Sequence, residues 1–276
     1  MDRVKALHKD VKRYLDHQKF KYEIAYTEYA KHGTELARKG VEKGFDCIVA
    51  VGGDGSVNDV IHGLHGSGAI LGIIPKGSGN GLARSLAIPL KESSAIKVLN
   101  RFKLKEIDIG SANGHLFSSN AGVGFDALVT DRFRTNIRRG FLAYIGIILK
   151  NIWTYKPKTW KVNADEKTFE STSFMITASN ASQLGYGFKI APESSISDSY
   201  FHLVIIKKFP TLFAVIIALK AFLGKTHKSR YVKTIKARKI SIQHPELTKF
   251  QIDGESLSCN GKVEIEMMPK KLSVLV

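Results

Sequence analysis

Apolar positions along the first 110 residues switch between two periods. Val4, Leu7, Val11 and Leu15 recur at helical spacing, whereas Phe20, Tyr22, Ile24 and Tyr26 alternate as in a strand. Residues 30–43 read as a helix that leads into the apolar run 47–51. A short helix over 57–64, a buried strand over 70–74 and a helix opening near Asn80 and closing before Pro89 continue the rhythm. Such alternation predicts a parallel sheet with helices on its faces, and places ligand-binding loops at the C-terminal ends of its strands.

Beyond about residue 103 the period shortens. Segments 104–111, 115–121, 160–164, 169–178 and 200–206 read as strands, joined by turns such as Ala112-Asn113-Gly114. Strand-like pieces resume near Ile240, Phe250, Val263 and Leu272, and two helical stretches, 141–153 and 211–223, interrupt the pattern. The change of period predicts an α/β domain over 1–108 and a β-rich domain over 109–276, with the boundary near 105–110.

Charge adds a partner class. The 42 lysines and arginines against 25 acidic residues leave a net charge of +17, which favours an anionic partner. Eight of the basic residues fall within 132–163 and eight within 220–245, and neither stretch holds an Asp or Glu. Each stretch adjoins an apolar helical segment, a pairing that suits an anionic membrane surface. A core helix beside a solvated basic loop would give the same pattern. The apolar windows 141–149 and 211–219 are shorter than the roughly 18 to 20 residues a membrane-spanning helix needs, and the N-terminus has no apolar signal region. Cys47 and Cys259 form no C-x-x-C pair, so neither a zinc site nor a disulfide framework is indicated, and a cytoplasmic setting fits. The charge does not read as nucleic-acid binding, because no zinc-finger spacing accompanies it and Trp153, Tyr155 and Trp160 suit a strand's packing.

The sharpest local feature is Gly52-Gly53-Asp54-Gly55-Ser56-Val57-Asn58, placed after a buried strand and opening a helix. Glycines there let backbone N–H groups approach phosphate oxygens, and the helix N-terminus adds positive potential. Asp54 would repel a phosphate, so it suits Mg²⁺, directly or through water, or a proton from an attacking hydroxyl. A second loop, Lys76-Gly77-Ser78-Gly79-Asn80-Gly81, follows the next strand and should face the first across adjacent strand ends. Neither loop is a G-x-x-x-x-G-K-[ST] P-loop or a G-x-G-x-x-G fingerprint.

These motifs resemble lipid kinases of the diacylglycerol and sphingosine kinase type, whose catalytic domain is shared more distantly with NAD kinases and phosphofructokinases. The resemblance covers nearly the whole chain and implies an NAD kinase-like α/β domain followed by a β-sandwich lipid domain. By that resemblance, Thr27 in Thr27-Glu28-Tyr29-Ala30-Lys31-His32-Gly33 contacts the nucleotide, with Gly52, Gly53, Asp54, Gly55, Ser56 and Asn58 of the first loop and Gly77, Ser78 and Asn80 of the second. Asp126, in Asn120-Ala121-Gly122-Val123-Gly124-Phe125-Asp126, faces the acceptor headgroup. Asp253-Gly254-Glu255 matches a late D-G-E motif that supplies a candidate general base, although a D-G dipeptide between apolar runs is also an ordinary hairpin turn. The family often carries D-D-G and a structural Mg²⁺ where this chain has residues 195–200; here Asp198 is the lone carboxylate, with Ser195 and Tyr200 offering backbone oxygens. The family also opens with a strand and an Asn-Pro-x-Ser-Gly phosphate loop, whereas this chain starts in what reads as the following helix.

The implied activity is transfer of the ATP γ-phosphate, with Mg²⁺, to a lipid hydroxyl of a diacylglycerol-like or sphingoid-like acceptor at an anionic membrane. Asp54, Asp253 and Glu255 are the candidate catalytic carboxylates, and Lys76 or Arg84 can add charge. Such an enzyme would be cytoplasmic, peripherally membrane-associated and open to homodimerisation. A soluble-substrate kinase resembling NAD kinase and a non-catalytic nucleotide- or membrane-binding protein of the same fold are the alternatives.

Overall fold

A computed structural model describes residues 2–136 and 140–276; Arg138 and Arg139, counted in the first basic stretch, lie outside the described residues. The chain divides into two units, Met1–Ile107 with Lys270–Val276, and Asp108–Pro269. The first runs α1 (Asp2–Tyr14), α2 (His32–Glu42), β1 (Cys47–Gly52), α3 (Asp54–Leu64), β2 (Ile70–Pro75), α4 (Gly81–Ser85), α5 (Glu92–Arg101) and β3 (Leu104–Ile107). The second begins with β4 (Gly110–Ala112), β5 (His115–Phe117), β6 (Asn120–Gly124), α6 (Phe125–Thr135), α7 (Phe141–Ile152), β7 (Lys158–Ala164), β8 (Lys167–Ser179) and β9 (Phe201–Lys207). It continues through α8 (Ala214–Phe222), β10 (Val232–Ala237), β11 (Lys239–Gln243), β12 (Lys249–Ile252), β13 (Glu255–Ser258) and β14 (Lys262–Met267). The last strand, β15 (Leu272–Leu275), belongs to the first unit.

In the first unit β1 and β2 pair in parallel from Cys47 opposite Ile70 to Gly52 opposite Pro75, which brings both strand ends, and the loops that leave them, to one edge. The sheet order is β1-β2-β15-β3. β15 is parallel to β2 and antiparallel to β3, so the expected parallel sheet carries one antiparallel edge strand. α3 packs on β1 and β2, and α5 on β2, burying Ile61, Leu64 and Ile96 against a strand whose Leu71 and Ile73 are inaccessible. β15 fills the place between β2 and β3, so the division after residue 108 gives residues 270–276 back to the first unit.

Residues 20–26 form no strand despite their alternation. Their aromatic rings are used locally instead: Phe20 meets Phe102, Tyr22 meets His17, and Tyr26 meets His8 of α1. Alternation says which residues could share a face but cannot supply a neighbouring strand, and here ring contacts with helix ends compete successfully.

The second unit is antiparallel throughout. Its long strand β8 pairs with β7 through its first half and with β6 through its second, with β9 on its other side; the change falls at an irregularity between Ser173 and Met175. A bulge bends and twists a strand in this way, which lets one strand serve both layers of a sandwich. The predicted strand 115–121 is broken at Ser118 and Ser119 into β5 and β6. β9 is buried on both faces as far as Ile206, as its apolar run 203–206 requires. Leu203 and Ile205 enter the sandwich core with Trp160, Ile176 and Phe250. Val204 and Ile206 enter a second cluster with Phe125, Met175 and Ile217, against which Tyr144, Ile147 and Ile148 of α7 pack.

Leu203 is fully buried. Leu203→Ala should therefore lower unfolding free energy by about 2–5 kcal/mol, measured as a reduced urea midpoint at unchanged slope.

Candidate active site

The two glycine loops meet. Lys76 N–H donates to Gly52 O at 2.7 Å, extending the β1–β2 pairing into the loops. A Cβ on Gly77 would lie 2.4 Å from Gly53 Cα and one on Gly53 would lie 3.0 Å from Gly77 Cα, so backbone touches backbone where both residues lack a side chain. Asp54, first residue of α3, accepts a hydrogen bond from Gly81 N–H at 2.6 Å through Oδ1, joining the start of one helix to the start of the next. A Cβ on Gly79 would lie 2.8 Å from Asp54 Oδ2, so glycine there leaves that oxygen room.

Within this frame Val57 N–H closes the first turn of α3 on Gly53 O at 3.1 Å, which leaves Gly55 and Ser56 N–H without intrahelical acceptors. Both residues are exposed, as an anion-binding helix end requires, whereas Asn58 is buried one turn on. Asn80, held at φ 50°, clamps its own loop: Oδ1 accepts from Gly77 N–H at 3.0 Å and Nδ2 donates to Gly77 O at 2.7 Å. Ser78 stays exposed at the loop's tip, and Thr27 is exposed in the irregular segment before α2. The cations have other work: Lys76 Nζ pairs with Glu92 at 3.0 Å, and Arg84 Nε donates to Gly79 O at 2.9 Å. Arg84 thus shapes the loop, and its backbone groups are the phosphate donors that the geometry offers.

In the second unit Asp253 and Gly254 have φ of 46° and 83° and join β12 to β13, with Ile252 opposite Glu255. This is a two-residue hairpin turn in chemistry as well as shape. The Asp253 carboxylate, however, accepts four hydrogen bonds. Ser119 and Asn120 N–H reach Oδ1 at 2.8 and 3.0 Å, and Ser118 N–H and Oγ reach Oδ2 at 2.8 and 3.1 Å. Asp253 N–H donates in turn to Asn120 O at 2.9 Å. These bonds explain the break between β5 and β6, and they make Asp253 the holder of that segment. Glu255, by contrast, is exposed.

Asp126 sits in the first turn of α6 and is buried. Its Oδ1 accepts from Ala127 N–H at 2.8 Å, and its Oδ2 accepts from Thr177 Oγ1 at 2.8 Å and Gln251 Nε2 at 3.3 Å. Gln251 also donates to Asn120 Oδ1 at 2.7 Å and accepts from Gly254 N–H at 3.2 Å, so one side chain connects the hairpin turn to the buried carboxylate. Burial raises the Asp126 carboxyl to about 6, against the hydrogen bonds, which pull it down. A Cβ on Gly122 would fall 2.3 Å from Asp126 Oδ2, so a bare backbone is needed beside it.

Comparison with known proteins agrees with this pairing of parts. The diacylglycerol kinase catalytic domain matches residues 2–112, and the YegS C-terminal NAD kinase beta sandwich-like domain matches residues 119–276. The diacylglycerol kinase of Bacillus subtilis (strain 168) is 30% identical over 235 residues, which span 83% of this chain and 77% of that one. The chain belongs to the diacylglycerol kinase family. The fold agrees too: a diacylglycerol kinase structure from Bacillus anthracis str. Sterne superposes with a TM-score of 0.76 at 20% identity, covering 97% of this chain and 90% of that chain. An NAD kinase from Archaeoglobus fulgidus in complex with ATP superposes at 0.55 with 15% identity, covering 99% and 89%.

In this diacylglycerol kinase family member the expected metal residues Ser195, Asp198 and Tyr200 present a single carboxylate that is already engaged. Asp198 Oδ2 already holds Lys236 Nζ at 3.0 Å and lies 3.6 Å from His202 Nε2, while Oδ1 accepts from Tyr200 N–H at 3.3 Å. Among the described residues no group of three or more His, Cys, Asp or Glu side chains is arranged to hold a metal ion. A tethered ammonium supplies the positive charge that the carboxylate needs. His202 is buried, and desolvation lowers its pKa despite Asp198, so it adds no second charge at neutral pH.

The sequence reading missed Thr177, Gln251, Ser118, Ser119 and Lys236. Their partners lie 38 to 135 residues away, and no local spacing signals such a bond.

Asp253→Ala should cost about 3 kcal/mol or more of unfolding free energy, because it strands N–H donors at the buried Ser118, Ser119 and Asn120; urea unfolding measures this. Asp126 gives a pH signature. Its carboxyl rises from 3.8 to about 6, so the folded state binds this proton more tightly than the unfolded chain does. Its contribution to stability should fall as pH rises between about 4 and about 6 and level off above. Urea midpoints of wild type and Asp126→Asn, compared across that range, should diverge against the wild type with rising pH.

Proposed function

We propose that this chain is an ATP-dependent lipid kinase that transfers the γ-phosphoryl group to a hydroxyl of a diacylglycerol-like or sphingoid-like acceptor. The observation that carries the reading is the locked pair of glycine loops, with Gly53 against Gly77 and Asp54 on Gly81 N–H, which presents backbone donors at a helix start. Family membership and the names of its relatives support phosphoryl transfer to a lipid.

In the proposed reaction the acceptor hydroxyl loses its proton, its oxygen forms a bond to the γ-phosphorus, and the bond from that phosphorus to the bridging oxygen of ADP breaks. Gly55 and Ser56 N–H orient the phosphates, with Gly77, Ser78 and Asn80 shaping the opposing loop and Thr27 and Asn58 completing the nucleotide contacts. Mg²⁺ bound with ATP would neutralise charge developing on the phosphate oxygens, and Asp54 would hold it through water at Oδ2, where Gly79 leaves room. Glu255 is the carboxylate we assign as general base, since Asp253 is occupied by four donors and Glu255 is open to solvent. Asp126 orders the acceptor end through Gln251.

The test is transfer of radiolabelled γ-phosphate from Mg·ATP to lipids in mixed micelles, with NAD as the soluble control. Wild type should label a lipid, Asp54→Ala should abolish labelling, and Glu255→Gln should lower kcat about 10²–10⁴-fold at similar KM for ATP. Labelled NAD without labelled lipid would move the assignment to a soluble-substrate kinase. Absence of any transfer would leave a nucleotide- or membrane-binding protein.

A further inference from the structure

α8 breaks the rule for a surface helix. Ile217 and Ala221 are buried on its inner side, where Ile217 joins the cluster of Phe125, Val204 and Ile206. A helix with one buried face ordinarily turns polar side chains outward. Here the outward positions are Val215, Ile216, Leu219 and Phe222, with Leu212 in the turn before the helix and Leu223 just after it, between 43% and 78% exposed and recurring at helical spacing. Within the second unit Phe222 meets the ring of Phe188, while Leu212, Val215, Ile216, Leu219 and Leu223 remain exposed.

Along the sequence that carries the stripe, charge has one sign. No acidic residue occurs between Asp198 and Glu246, an interval that holds ten lysines and arginines. Lys220 turns its ammonium back to Lys228 O at 2.9 Å, fixing the segment that follows the helix. Lys225, Lys228 and Arg230 of that segment are exposed. The Arg230 guanidinium lies 5.8 Å from the ring of Phe213, just before the helix, and 4.9 Å from that of Tyr231, which places a cation beside the start of the apolar stripe as well as its end. Phe222 stacks edge-on with Phe188. An apolar strip this exposed, in a stretch of chain that carries ten cations and no acidic residue, is complementary to a surface that is oily within and negative at its rim.

We infer that the outward face of α8 docks into an anionic lipid bilayer, its leucines, valine, isoleucine and phenylalanine entering the acyl boundary and Lys225, Lys228 and Arg230 meeting lipid phosphates. The inference deepens the lipid kinase reading and rests on it for purpose, since it names the surface through which a membrane-resident acceptor is approached. It calls for no contact with the nucleotide loops. A helix of nine residues lies in the interface and does not span it, in keeping with the absence, among the described residues, of any helix long and apolar enough to cross a membrane.

The experiment is co-sedimentation of the full chain with vesicles of phosphatidylcholine alone or mixed with phosphatidylglycerol, beside γ-phosphate transfer to a short-chain acceptor dispersed below its micelle concentration. Wild type should bind the phosphatidylglycerol vesicles preferentially. Leu212→Ser combined with Leu219→Ser and Leu223→Ser should lower partitioning at least about tenfold while transfer to the dispersed acceptor persists. Lys225→Gln with Lys228→Gln should remove the preference for phosphatidylglycerol. Because the altered leucines are solvent-exposed, retained transfer and an unchanged urea midpoint report that the variant is folded. Equal vesicle binding by the triple-serine variant, or no vesicle binding by wild type, would overturn the inference and leave the kinase reading standing. Self-association of the lipid-free wild type that the same substitutions abolish would also overturn it, assigning the face to a second copy. Vesicle binding that depends on the stripe, without transfer to any acceptor, would support the face and sink the kinase reading instead.

Discussion

Everything proposed for the nucleotide end of this protein depends on two backbones being allowed to touch. β1 and β2 end side by side, and the chain leaving each must turn into a helix without colliding with the other. Gly53 and Gly77 are at the collision point, where a methyl group on Gly77 would sit 2.4 Å from a neighbouring Cα. Asp54 then converts proximity into a tie by accepting Gly81 N–H. The glycines therefore have a structural reason to be glycine that is independent of any ligand, and the same geometry turns two helix starts to one edge of the sheet. The proposed nucleotide binding would build on this constraint and would not replace it.

In the second unit the carboxylates have been given different tasks by their surroundings. Asp253 accepts four donors and shapes the chain; Asp126 is buried, and burial raises its carboxyl despite three hydrogen bonds; Glu255 is solvated. Gln251 links the first two, through Asn120 and the turn, so their positions are not independent. Three carboxylates thus separate into a brace, a buried acid and an open group, with the division set by burial and by the donors the fold aims at each one.

Much of this was legible in the chain itself. Hydrophobic period gave the α/β-then-β order, and the glycine loops were placed correctly at strand ends because a turn into a helix after a buried strand is a local event. What period could not give was pairing. Residues 20–26 alternate as a strand does, yet their rings found His8, His17 and Phe102 before any sheet edge. Asp198 looked like a weakened metal ligand, and only the folded chain brings Lys236 to its oxygen. The role of Asp253 was hidden for the same reason: its donors, Ser118, Ser119 and Asn120, are more than 130 residues earlier, and ordinary side chains such as serine carry no mark of what they will bind.

The place of β15 has a consequence for how the molecule is made. The sheet that supports both glycine loops has its third position filled by residues 272–275, which arrive after the entire second unit has been synthesised. On the ribosome the second unit can finish its own pairings while the first still exposes the flank of β2, with apolar Leu71 awaiting Val274. Loop geometry encoded almost wholly near residues 52 to 81 thus rests on a sheet that a strand from beyond the second unit helps to build. Sequence near one end of the chain and the structure it supports are separated by the whole second unit, and until β15 pairs, the flank of β2 that carries Leu71 has no partner strand on that side.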